Sequence, residues 1–144
     1  MTEPTSFAVE IFSECFEPTG LGAGAVGCNG EAAALPILLV AGADAHCTSW
    51  TPALIEPLTA LGHRVVRYDH RDSGLSTKVP ADVGYTLDDL TDDALTVMDT
   101  HGIDRAHVIG RSMGGMVGQL LALASALRIF GPFAVAWLFD HARS

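Results

Sequence analysis

The chain is short of positive charge. Its 144 residues hold 8 lysines and arginines against 17 aspartates and glutamates, a formal net charge of −9. There is no basic run, and a surface of this sign repels phosphates, which argues against non-specific nucleic-acid binding and for a soluble protein. Cysteine is scarce. Cys15, Cys28 and Cys47 form an odd, irregularly spaced set. They make no disulfide framework, and no CxxC pair or histidine cluster points to a metal. Free thiols in a reducing, cytoplasmic compartment are the expectation. The first six residues, MTEPTS, lack a lysine or arginine ahead of an apolar stretch. No secretory signal is expected there, and the segment is expected to be flexible. Between Met113 and Phe139 the only charged residue is Arg128, which raises the question of a membrane helix. Gly131-Pro132 interrupts the stretch and Arg128 sits near its middle. The expectation is therefore no membrane span, but a buried helix followed by a buried or strand-like segment.

What is present is a globular composition, 49% apolar and 17% charged, of a length that suits one domain over residues 1–144. Residues 7–16 read as one or two antiparallel edge strands. "LPILLVAG" (35–42) is wholly apolar, as in a strand covered on both faces. A helix is expected over 49–62, with Pro57 kinking or shortening it. "HRVVRYD" (63–69) is the next strand. The segment 86–102 is the clearest helix: Thr86 and Asp89 make a capping box, and Leu87, Leu90, Ala94, Val97 and Met98 recur at helical spacing. "RAHVIG" (105–110) is a strand and residues 113–127 a helix. The β-α-β-α-β-α alternation implies an α/β fold: a mostly parallel sheet with flanking helices.

Gly110-Arg111-Ser112-Met113-Gly114 fits G-x-S-x-G, with a strand directly before it and a helix directly after. The pattern has a steric cause. A serine at so tight a strand-to-helix turn has strained φ/ψ, and only small residues fit two positions either side. The turn aims Oγ away from the sheet. The helix amino terminus then faces a developing oxyanion with N–H groups and a positive dipole. The bland alternative is an ordinary βα turn with a buried serine.

With that motif in place, the chain resembles the α/β-hydrolase superfamily. "LLVAGADAHCTSW" is similar to the family's oxyanion strand and loop, with Ala41-Gly42 where His-Gly is usual. "VVRYDHRDSGLST" (65–77) is similar to its Asp-x-Arg-Gly-x-Gly-x-Ser loop, with Asp72 where glycine is common. The Asp-His-Arg-Asp run looks closest to aclacinomycin-methylesterase-like esterases. The resemblance covers roughly residues 7–125. It implies hydrolysis of a small carboxylic ester or amide through an acyl-serine intermediate. Ser112 would be the nucleophile, and the N–H groups of Ala43 and Met113 the oxyanion hole. No cofactor is implied.

The sequence departs from the family downstream. In such enzymes an acid and then a histidine follow the serine. After Ser112 the only Asp or Glu is Asp140 and the only histidine is His141. Adjacent residues project differently and hardly form a bonded pair aimed at Ser112, so no acid or base is assigned. The tail 128–144 is atypical and unlike the family's next strand and cap. The chain thus reads as the amino-terminal part of a hydrolase, truncated after the nucleophile helix. A homo-oligomer or a complementing carboxyl-terminal fragment is a candidate partner. The alternatives are an inactive truncated hydrolase or interaction module and, further off, a nucleotide-binding protein. His46 lies near the oxyanion loop and is expected to face solvent. Asp69 and Arg71, either side of His70, are expected to form structural pairs. Nothing in the sequence activates Cys47, and Trp50 is expected to pack the first helix. Gly22-Ala-Gly24-Ala-Val-Gly27 matches the dinucleotide pattern G-x-G-x-x-G, yet only Cys28 to Leu35 separate it from the next strand. That leaves no room for the helix a pyrophosphate site needs, so a flexible connection is expected.

Overall fold

A computed structural model describes residues 8–19, 34–125 and 134–136. The elements in chain order are β1 (Ser13–Phe16), β2 (Ile37–Val40), a short 3₁₀ turn (Cys47–Ser49), α1 (Pro52–Ala60), β3 (Val65–Tyr68), α2 (Leu87–Thr100), β4 (His107–Arg111), α3 (Met113–Ala124) and β5 (Ala134–Ala136). They form one sheet in the order β1-β3-β2-β4-β5. Strands β2 to β5 run parallel, and β1 closes one side antiparallel to β3.

Why β2 is apolar at every position follows from its place. Its four residues are all buried, and successive side chains point to opposite faces. Leu38 and Val40 join Val66, Tyr68 and Val108 beneath α2 and α3, where Leu90, Ala94, Val97, Met98, Val117 and Leu121 complete the larger core. Ile37 and Leu39 face the other way and pack with Val65, Trp50 and Ile55 of α1. Burying each such side chain contributes about 1.5–3 kcal/mol. The sheet is thus covered on both sides, as parallel sheets require.

The helices start and stop for local reasons. Thr86 Oγ1 accepts the Asp89 N–H at 3.4 Å and Asp89 Oδ2 accepts the Thr86 N–H at 2.7 Å, the reciprocal capping box that opens α2. Pro57 lies inside α1, which is nine residues long. It removes one N–H from the ladder without ending the helix. No described helix is long and apolar enough to cross a membrane.

In the tail, Ala134–Ala136 pairs in parallel with Ile109–Arg111. A further strand therefore lies within a segment that looked unlike the family's next strand. The free N–H and C=O groups along β4 call for a partner, and backbone pairing asks little of side-chain identity. Residues 1–6, the glycine-rich segment 22–27, and Asp140 and His141 lie outside the described residues.

Candidate active site

The parallel order brings the carboxyl ends of β2, β3 and β4 to one edge, and Ser112 stands there between β4 and α3. Its φ of 52° and ψ of −121° lie in a region that L residues rarely occupy. Such a conformation costs about 1–3 kcal/mol and persists only where the surroundings enforce it. The two flanking glycines supply that enforcement. A Cβ on Gly110 would sit 2.3 Å from the Gly114 carbonyl oxygen, and one on Gly114 would sit 2.1 Å from that of Val40. The first turn of α3 is thus pressed onto both β4 and the end of β2. Ser112 itself is exposed.

The loop after β2 meets this elbow. A Cβ on Gly42 would lie 3.3 Å from the Arg111 carbonyl oxygen and 3.5 Å from Ser112 Cβ. Ala43, the next residue, is exposed. Met113 is the first residue of α3, where the N–H has no intrahelical acceptor. Ala43 and Met113 line one cavity of about 270 Å³ together with Gly42, His46, His70 and Tyr85.

The Asp-His-Arg loop forms the far wall. The Asp69 carboxylate accepts the N–H groups of Cys47 (2.6 Å) and Leu75 (2.9 Å). Burial pushes its pKa up, and these donors more than offset that, so the group lies below the usual carboxylate value. Gly74, at φ 48°, passes so close that a Cβ there would overlap that carboxylate. Arg71 reaches α2 instead: Nε and Nη2 bond the Asp93 carboxylate at 2.7 and 2.8 Å. The expected pairing thus holds for Arg71 but not for Asp69, which backbone donors satisfy. Asp72 takes φ 67° and its Oδ1 accepts the Val79 N–H at 2.6 Å. A left-handed φ is the reason glycine suits this position, and aspartate tolerates it better than most residues.

The histidines divide. His46 is exposed on the cavity. His70 is buried, with Nε2 2.9 Å from the Ala41 carbonyl oxygen. Burial lowers its pKa, against the Ala41 carbonyl and the carboxylates of Asp93 and Asp69. His63 bonds the Leu35 carbonyl and His101 bonds Ser13. Among the described residues no histidine bonds Ser112. Cys47 is buried and its thiol is pushed up to about 12, first by burial and then by Asp69, which makes it inert. Trp50 packs in the core with Ile55, and the Arg111 guanidinium lies over its ring at 5.4 Å. Among the described residues no His, Cys, Asp or Glu cluster could hold a metal.

Two features escaped sequence reasoning. Asp93 is one of four acids near the start of α2, with Asp88, Asp89 and Asp92; it falls three residues after Leu90 on the apolar face and is buried. Arg111, the variable residue before the serine, reaches Ser49 at 3.0 Å. No spacing signals that contact.

Residues 35–129 match the family described as alpha/beta hydrolase fold, and the chain belongs to that family. It is similar to the rhodomycin D methylesterase DauP of Streptomyces sp. (strain C5), 44% identical over 101 residues that cover 69% of this chain and 34% of that protein. Among solved structures it is similar to the enol-lactonase of Burkholderia xenovorans LB400, with a TM-score of 0.65 and 34% identity, covering 84% of this chain and 41% of that one. A hydrolase from Pseudomonas aeruginosa PA01 superposes with a TM-score of 0.66 at 32% identity, covering 87% and 41%. The chain spans about a third of the length of the methylesterases it matches.

Proposed function

We propose that this chain carries the nucleophile half of a serine hydrolase acting on a small carboxylic ester. The observation that carries the reading is the Ser112 backbone, at φ 52° and ψ −121° between β4 and α3. A serine held in such strain between a strand and a helix projects its hydroxyl away from the sheet. In the proposed reaction Ser112 Oγ attacks the ester carbonyl carbon and gives its proton to a base. The N–H groups of Ala43 and Met113 stabilise the oxyanion. Loss of the alcohol leaves an acyl-serine, which water hydrolyses to the acid. Methylesterase activity in the relative DauP favours an ester over an amide.

A second reading rests on where the histidines go. None of the described ones bonds Ser112, and on this reading the serine is aimed without a base to activate it. A complementing carboxyl-terminal fragment would supply acid and base. Losing a whole triad costs about 10⁶-fold in kcat and leaves about 10³–10⁴ over water from the oxyanion hole and binding. The purified chain is treated with a fluorophosphonate, and the adduct is located by mass spectrometry, with p-nitrophenyl acetate hydrolysis in parallel. Slow labelling at Ser112, absent in Ser112→Ala, is expected, with ester turnover barely above background. Labelling that persists in Ser112→Ala would overturn the nucleophile assignment. Fast turnover that Ser112→Ala abolishes would overturn the second reading and make His46 the first base to test.

A further inference from the structure

We infer that His70 is a positioning residue for the Ala41–Ala43 segment, holding the Ala41 carbonyl and through it the direction of the Ala43 N–H. The inference rests on the oxyanion role proposed above for Ala43.

The chemistry of the contact decides the ring's state. A carbonyl only accepts, so Nε2, 2.9 Å from the Ala41 oxygen, carries the proton. The neutral ring then presents a lone pair at Nδ1, and that atom is buried with no partner among the described residues. His70 is 3% exposed. Its ring makes one hydrogen bond, to this carbonyl, and leaves its other polar atom unmatched. Burying an imidazole on those terms is costly, and an apolar side chain packed on Tyr68 would avoid the cost. The Tyr68 ring already meets it edge-on, with centroids 5.2 Å apart. The return on a histidine is therefore the grip on the Ala41 oxygen.

That oxygen is a junction. On its other side stands Gly114, where a Cβ would come within 2.5 Å of it. One carbonyl is thus held between the Asp-His-Arg loop and the first turn of the elbow helix. The Ala41 carbonyl shares its peptide with the Gly42 N–H, and Gly42 lies against the Arg111 carbonyl and Ser112 Cβ. Turning the Ala41 carbonyl would turn that peptide, shift Gly42 and re-aim the Ala43 N–H that follows it. The carboxylates of Asp69 and Asp93 also act on the ring. Arg71 pairs Asp93, and burial keeps the imidazole neutral.

The test is NMR on the full ¹⁵N-labelled chain, wild type beside His70→Gln, His70→Asn and His70→Leu. Glutamine can place its amide N–H near the Nε2 position. Asparagine is too short, and leucine has no donor. In the wild type, two-bond ¹H–¹⁵N spectra at neutral pH are expected to show a neutral His70 protonated at Nε2. The Gly42 and Ala43 amide resonances should stay in place in His70→Gln and move in the other two. Fluorophosphonate labelling of Ser112 should slow about tenfold in His70→Asn and His70→Leu and stay within about threefold of wild type in His70→Gln. A proton on Nδ1 would overturn the inference, as would unmoved Gly42 and Ala43 resonances in the folded Asn or Leu variant. A glutamine variant that behaves like asparagine would do the same. If wild-type Ser112 is not labelled while the amide resonances respond as expected, the nucleophile proposal fails and the positioning role stands.

Discussion

At Ser112 the backbone carries a conformational cost that a side chain at Gly110 or Gly114 would make worse. Ser112→Gly should therefore raise stability by about 1–3 kcal/mol, read from urea unfolding, while ending labelling by the fluorophosphonate. A lower stability than wild type would mean the strain is not real. Gly114→Ala acts in the opposite sense, since its Cβ would approach the Val40 oxygen to 2.1 Å. Backbone on both sides leaves nothing to yield cheaply, and a loss of about 1–3 kcal/mol or more is expected from the same urea curves. The small-residue rule around the serine was legible because it is steric and local. The depth of contact between Gly114 and β2 was not, because β2 lies more than seventy residues earlier in the chain.

Among the elements, α2 is held in two ways. Its amino terminus is capped within itself, and Thr86→Ala should cost about 1 kcal/mol by thermal or urea unfolding. Its flank is tied to the Asp-His-Arg loop by Arg71 and Asp93, whose side chains are 13% and 8% exposed. Arg71→Ala leaves a buried carboxylate unpaired and should cost about 3–5 kcal/mol. Arg71→Lys should recover only part of that, because a single ammonium cannot reproduce the forked contact. Full recovery by lysine would show that charge alone suffices. The capping box was readable from two residues three apart. The Arg71–Asp93 pair was not, since four acids at a helix start look alike until the sheet chooses which one faces inward.

For the whole molecule, acid should weaken folding through groups that the fold keeps unprotonated. His70 has its folded pKa below the ordinary histidine value through burial. The unfolded chain therefore binds more protons, and stability present above about pH 6.5 falls as pH drops through the folded value. Asp69, held down by backbone donors against burial, works in the same direction nearer pH 4. The urea midpoint should decline from pH 7 to 5, and His70→Gln should flatten that decline. An unchanged slope in the variant would remove His70 as its source. The sequence by itself determined the α/β alternation and the strand–serine–helix turn, because apolar period, capping residues and the spacing of glycines about a serine act over a few neighbouring positions. Only the tertiary structure decided that Asp69 is held by backbone N–H groups, that Arg71 takes Asp93, and that His70 grips Ala41. Each of those choices depends on which distant segments the parallel crossovers bring to the same sheet end, and a buried polar atom takes whatever partner lies within reach there.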